Sequence, residues 1–164
     1  MKPAVSEKTA PRVRPDSSWP TLIQNSAHEV FQLMVGSAIR PHPNPPAAPI
    51  GNISAIVGMA GNLCAVFSLR CDEKSAFIIA QKMLGDEEVQ TLESACDAMA
   101  EICNMVAGNF KFKIAGLADG CALSVPTVVK GEDYHVRSQS PSDRIDVCME
   151  YEEKPLFIML EAKN

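Results

Sequence analysis

Glu87-Glu-Val-Gln-Thr-Leu-Glu-Ser-Ala-Cys-Asp-Ala-Met-Ala-Glu-Ile-Cys-Asn-Met-Val-Ala-Gly-Asn-Phe-Lys-Phe112 is the longest periodic segment of the chain. Its apolar residues Leu92, Ala95, Cys96, Met99, Ile102, Cys103, Val106 and Phe110 recur in steps of three and four, which marks one face of an α-helix. The spacing predicts a helix from near Glu87 to about Phe112. On the side away from that face, Gln90, Glu93, Asp97, Glu101 and Asn104 fall within a sector of roughly 80°. Such a helix buries one side and shows a polar stripe on the other.

The segments around it supply the surface on which it lies. Upstream, the apolar runs Ile53 to Met59 and Leu63 to Leu69 are joined by Ala60-Gly61-Asn62, a glycine-bearing link of the kind a hairpin uses. Asp72 offers an N-cap to a helix through Leu84, whose run from Ala76 to Ala80 points to deep burial, and Gly85 closes it. Further upstream a first helix is predicted from Pro20 to about Ala38, ended by Pro41. The proline-rich Pro41 to Pro46 then reads as an extended connector. Downstream of Gly116 the pattern turns to strands: Ala122 to Val129, a stretch around Tyr134 to Val136, Arg144 to Tyr151 with strict alternation, and Leu156 to Leu160 after a turn at Glu152-Glu153-Lys154. About six strands and three helices result. This is a two-layer α+β layout, helices packed on a mostly antiparallel sheet.

The 164 residues suit one domain. Residues 1–19, charged, proline-bearing and aperiodic, read as a disordered tail, and 20–164 as the folded domain. With 46% hydrophobic and 21% charged residues the composition is that of a soluble globular protein. The apolar runs fall far short of the ~20 residues a membrane-spanning helix needs, so no membrane crossing is expected. The N-terminus lacks the apolar block of an export signal. Cys64, Cys71, Cys96, Cys103, Cys121 and Cys148 are scattered without a C-x-x-C pair, and in a chain without an export signal they are expected reduced and mostly buried, in a cytoplasmic setting. A net charge of −5 argues against nucleic acid, which requires a positive face. His28, His42 and His135 show no ligand spacing, so no metal site is expected. Neither a G-x-S-x-G elbow nor a phosphate-cradling glycine loop is present; Gly58 and Gly61 belong to hairpin geometry.

Glu101 and Asn104, three apart on one helix face, lie side by side and can engage one small target together. A polar pair opposite an apolar face is common to surface helices, so its surroundings decide how it is read. Asp97-Ala-Met-Ala-Glu101-Ile-Cys-Asn104-Met-Val-Ala-Gly108-Asn109 resembles the signature helix of the CheC, CheX and FliY family of chemotaxis phosphatases. Ile56-Val57-Gly58-Met59-Ala60-Gly61 looks like that family's first hairpin. Ser124-Val125-Pro126-Thr127-Val128-Val129-Lys130-Gly131 looks like its strand after the helix. The single E-x-x-N motif is similar to the CheX branch; Glu29-Val30-Phe31-Gln32 is a poor second copy, since Gln replaces Asn, and is read as packing and surface residues.

The resemblance implies a phosphatase acting on the aspartyl phosphate of a phosphorylated CheY-like receiver protein. Asn104 would orient the attacking water, Glu101 would pair with the receiver's lysine, and Asp97 would support the partner interface. The Mg²⁺ of this scheme belongs to the receiver, and no cofactor of the chain's own is implied. A homodimer joined through sheet edges is a further implication. Two other readings stand beside it: a receiver-binding or flagellar-switch-like interaction module without turnover, and an unrelated ligand-binding α+β domain, which a buried polar stripe would favour.

Overall fold

The computed structural model describes residues 11–85, 91–136, 139 and 142–163. In chain order these form α1 (Trp19–Val30), a π-helical turn (Phe31–Val35), β1 (Arg40–Pro41), β2 (Ile53–Gly61), β3 (Ala65–Cys71), α2 (Glu73–Leu84), α3 (Leu92–Phe112), β4 (Cys121–Leu123), β5 (Thr127–Lys130), β6 (Ser142–Tyr151) and β7 (Lys154–Lys163). The fold is α+β, with the helices packed on an antiparallel sheet of seven strands among the described residues. Strand order is β1-β6-β7-β3-β2-β4, and β5 pairs with the same strand β2.

Register puts one apolar residue from each central strand in line. Val57 lies opposite Phe67, Phe67 opposite Leu160, and Leu160 opposite Ile145. The neighbouring row runs Ala55, Leu69, Ile158, Val147. Because alternate residues of a strand point to one face, these rows make a continuous apolar floor for the helices. α3 lies on that floor with Ala95, Met99, Ile102, Cys103, Val106 and Phe110 buried. The Cys103 thiol approaches the Ala55 carbonyl at 3.4 Å, and the rings of Phe110 and Phe67 are 6.0 Å apart. α3 packs in turn against both α1 and α2.

Local signals set the helix ends. Asp72 accepts from the Ser75 amide at 2.8 Å and Thr91 from the Ser94 amide at 3.2 Å, each filling an orphan donor of a first turn. Gly85 stops α2 in the left-handed conformation, as expected. The first helix stops earlier than its periodicity suggested: Gly36, at φ 67°, ends it after Val35, so Pro41 is not the terminator. Freed from the helix, Arg40–Pro41 forms the short β1, and Arg40 reaches the Glu150 carboxylate at 2.6 Å. The connector therefore supplies a strand the sequence did not announce.

The stretch Ala122 to Val129 is split, against expectation. β4 pairs with the outer end of β2 and β5 with its start, while Ser124-Val125-Pro126 bows out between them. Proline has no amide to donate, and Ser124 instead exchanges hydrogen bonds with Gly58 through its backbone and side chain, both at 2.8 Å. At Gly61, φ 132°, an added Cβ would sit 2.2 Å from the Gly120 carbonyl oxygen, so the hairpin position admits glycine alone. No strand forms at Tyr134 to Val136. Tyr134 works through its side chain, donating to Ser54 at 2.7 Å with its ring 4.3 Å from the Arg70 guanidinium. Arg70, buried in the sheet, donates to the carbonyls of Gly51 and Tyr134 and so ties two loops together.

Of the predicted tail, residues 1–10 lie outside the described residues. The following segment is attached to the body: the Val13 amide donates to the Asn62 carbonyl at 2.8 Å, and Val13 packs on the core. Trp19 opens α1 and is only 2% exposed, edge-on to Phe110 with ring centroids 5.3 Å apart. The six cysteines are free thiols; Cys71, Cys103 and Cys121 are buried, whereas Cys64 is exposed at the hairpin. Burial pushes the Cys103 thiol up to about 12 and raises Cys71 as well.

Two outcomes follow from this packing. Trp19→Ala lowers the unfolding free energy by about 3–5 kcal/mol; a urea titration followed by far-UV circular dichroism measures it, since the variant lacks the chain's single tryptophan. In a thiol titration of the native protein near neutral pH, Cys64 reacts first, while Cys71 and Cys103 stay unreacted until denaturant is added.

Candidate functional site

The solvent side of α3 is a ridge between two hollows. On the side of α1, Glu29, Val30, Leu33, Asn104, Met105, Gly108, Asn109, Lys111, Phe112 and Leu123 line a groove of about 580 Å³. On the side of α2, Met83, Leu84, Ser94, Asp97, Ala98 and Glu101 line a smaller one of about 340 Å³. The sequence-predicted residues thus divide. Glu101 and Asp97 open on the α2 side, Asn104 on the α1 side, and the helix backbone alone fixes the distance between them. Residues three apart in a helix have Cβ atoms about 5–6 Å apart, which is one small ligand's width.

Glu101 and Asp97 are exposed and Asn104 half-buried. Among the described residues no hydrogen bond or ion pair involves any of these three side chains. The amide of Asn104 therefore keeps two donor hydrogens and a carbonyl oxygen for an external group, and the Glu101 carboxylate keeps its acceptor oxygens. A surface residue whose polar atoms serve nothing inside the molecule is either idle or meant for a partner. Two such residues side by side, each at the lip of a hollow, make the candidate site.

The walls of the larger groove are set by polar bonds. Lys113, just past α3, bonds both carboxylate oxygens of Glu29 at 2.8 and 2.9 Å, and Asn109 donates to the same carboxylate at 3.1 Å. The Lys113 bond, then that from Asn109, hold the Glu29 carboxyl below its ordinary pKa. Lys111 donates to the Cys121 carbonyl and so fixes β4, with Leu123, along the opposite wall. The four residues Glu29-Val30-Phe31-Gln32, read from sequence as packing and surface, are just that: Val30 and Phe31 are buried, and Glu29 is a strut.

Sequence reasoning missed three contributors. Leu33, inside the segment predicted as the first helix, stands 77% exposed on the rim, because the π-helical turn Phe31–Val35 rotates the register of that last segment. Phe112 is 69% exposed at the end of α3. Gly108 lies between Asn104 and Phe112 on the same stripe. The spacing 104, 108, 112, in steps of four, was the signal available for the last two.

A separate concavity of about 600 Å³ at the start of β2 is lined by Arg70, Asp72, Glu73, Lys74, Glu132, Asp133 and Tyr134, among others. Four carboxylates face it, and the Arg70 guanidinium is engaged with loop carbonyls, so it offers an anion little. Among the described residues no group of three His, Cys, Asp or Glu is placed to hold a metal ion, and no helix is long and apolar enough to cross a membrane.

Comparison with known proteins follows the same lines. Residues 53–150 match the family described as Chemotaxis phosphatase CheX. A curated relative, the CheY-P phosphatase CheX of Thermotoga maritima, is 27% identical over 88 residues, which is 53% of this chain and 57% of that protein. The match thus spans little more than half the relative's length. The crystal structure of the chemotaxis protein CheX from Vibrio vulnificus superposes with a TM-score of 0.77 at 25% identity, covering 92% of this chain and all of that one. The CheX-CheY-BeF3-Mg²⁺ complex from Borrelia burgdorferi gives 0.75 at 20% identity, again over 92% of this chain and 100% of that chain.

Since neither the Glu101 nor the Asn104 side chain is bonded among the described residues, Glu101→Ala and Asn104→Ala each change the unfolding free energy by less than about 0.5 kcal/mol. Denaturant titrations of the two variants beside the unsubstituted chain measure this, and a loss several times larger contradicts the reading of an unengaged pair.

Proposed function

The chain belongs to the chemotaxis phosphatase CheX family, and from that premise we propose that it hydrolyses the aspartyl phosphate of a CheY-like receiver domain. The observation that carries the proposal is the presence of Asn104 and Glu101 on the α3 ridge, adjacent, accessible and without side-chain partners among the described residues.

Hydrolysis of an acyl phosphate asks little covalent chemistry of an accessory protein. Water attacks phosphorus in line, the bond from phosphorus to the aspartyl oxygen breaks, and the receiver's carboxylate leaves as inorganic phosphate forms, with the water's proton passing to phosphate or solvent. What limits the rate is holding a water opposite the leaving oxygen. Asn104 suits that role, because its carbonyl accepts from the water, its NH₂ donates to a phosphoryl oxygen, and being neutral it brings no like charge to an anion. In the proposed scheme Glu101 pairs with a lysine of the receiver, which fixes the helix in register; a carboxylate beside a phosphoryl group is tolerated when a cation matches it. Asp97, one turn earlier in the same hollow, extends that contact.

The metal of the reaction is the receiver's Mg²⁺, and the scheme asks for none in this chain. The same reading puts the protein in the cytoplasm with its receiver. It also has the chain act as a homodimer joined at a sheet edge: among the described strands only the short β1 pairs with the outer side of β6, which leaves most of that ten-residue strand without a neighbour there.

The test mixes the chain with phosphorylated receiver domains from its own genome and follows loss of phosphate. Asn104→Ala reduces the acceleration by at least about 100-fold while binding to the receiver persists. Glu101→Ala weakens both binding and turnover. Unchanged turnover in both variants rejects the site, and a wild-type chain that binds without accelerating hydrolysis is an interaction module instead.

A further inference from the structure

Gly108 sits inside α3, four residues before its end, in ordinary helical conformation. Glycine is among the weakest helix formers, so its place in a long helix calls for a reason. Close packing is the usual one, and here it is absent. A Cβ built at Gly108 would meet nothing nearer than the Leu123 side chain at 3.9 Å, an ordinary contact, whereas at Gly61 and Gly120 it would fall 2.2 and 2.1 Å from neighbouring atoms. The fold itself therefore accepts a side chain at this position.

What a side chain would take away is open groove. Asn104, Gly108 and Phe112 follow one another at steps of four along α3 and line the same hollow, opposite Leu33 and Glu29. The strut from Glu29 to Lys113 and Asn109 links α1 to the C-terminal end of α3 and bridges the groove there. Leu33 and Phe112 stand exposed on its rim although burial would favour both. A bare backbone surface one turn from Asn104, flanked by two uncovered apolar side chains, is shaped to be met from outside.

We propose that Gly108 is a specificity-determining residue for receiver recognition, its missing side chain giving clearance for the receiver's chain beside the phosphorylated aspartate. The inference rests on the phosphatase reading above. A phosphoryl group brought to the Asn104 amide carries its own flanking backbone with it, and the groove that Asn104 lines is the space next to it. The receiver's loop seats against the α3 backbone at Gly108, with an apolar side chain covering Leu33 and Phe112. The glycine then lowers helix stability and keeps the docking face open.

Gly108→Ala and Gly108→Val separate clearance from structure. The alanine variant melts about 2–4 °C above wild type, as removing a helical glycine predicts. With a phosphorylated receiver that wild type dephosphorylates, the concentration giving half the maximal rate rises at least about tenfold for alanine and further for valine. The rate at saturating receiver stays within about twofold of wild type, unlike that of Asn104→Ala, which loses the rate and keeps the binding. Wild-type concentration dependence in both variants overturns the proposal and leaves the phosphatase reading intact. An alanine variant that melts below wild type also overturns it, since the glycine would then be there for packing. A wild-type chain inert towards every receiver of its genome removes the phosphatase reading and this inference together.

Discussion

Phe110 is held from two sides, by Phe67 of the sheet below and by Trp19 of α1 beside it, and the rest of the site depends on that contact. A helix lying on a sheet can in principle roll about its own axis, since hydrophobic burial is not directional. A large ring fixed between two others removes that freedom. With Phe110, Met99 and Ile102 all facing the floor, Glu101 and Asn104 face solvent by helical geometry, and no further interaction is needed to expose them. The chemistry proposed for this surface is thus a consequence of what the opposite surface buries.

The support around α3 follows the same pattern. Its N-terminal turn is capped by Thr91, its C-terminal end is tied to β4 through Lys111 and to α1 through Lys113, and neither tie uses a residue of the polar stripe. The Glu29 to Lys113 pair is half open to water and contributes little to stability. With Asn109 it bridges the groove, while the separation of α1 from α3 follows from their direct packing, Trp19 on Phe110 included. At the other end of the sheet the buried Arg70 donates to the backbone carbonyls of Gly51 and Tyr134 and serves as a joint between loops.

Much of this was legible in the chain. The period of α3, the Asp72 and Gly85 boundaries of α2, the Gly61 hairpin and the alternation through Tyr151 are local signals, and local signals survive folding. What was not legible depended on partners distant in sequence. Pro126 and Ser124 break the outer strand because Gly58 lies opposite; Arg40 becomes a strand residue because Glu150 is there to meet it; Trp19 is core because Phe110 waits for it. Of the site, the pair Glu101 and Asn104 could be placed on one face from periodicity alone. The grooves could not, since their walls come from α1, α2 and β4, and the π-helical turn that shows Leu33 to solvent has no signature in single-residue propensity.

Because Glu101 and Asn104 share one helix but open on separate hollows, their spacing and their surroundings are under different control. The spacing is a property of backbone hydrogen bonds and is indifferent to side chains elsewhere. The surroundings are contributed by Leu33 and Leu123 on one flank and by Met83 and Leu84 on the other, of which Leu33 and Leu84 are exposed side chains outside the core. In a scaffold so divided the exposed side chains of either flank can vary, one substitution at a time, while the two polar groups stay in register.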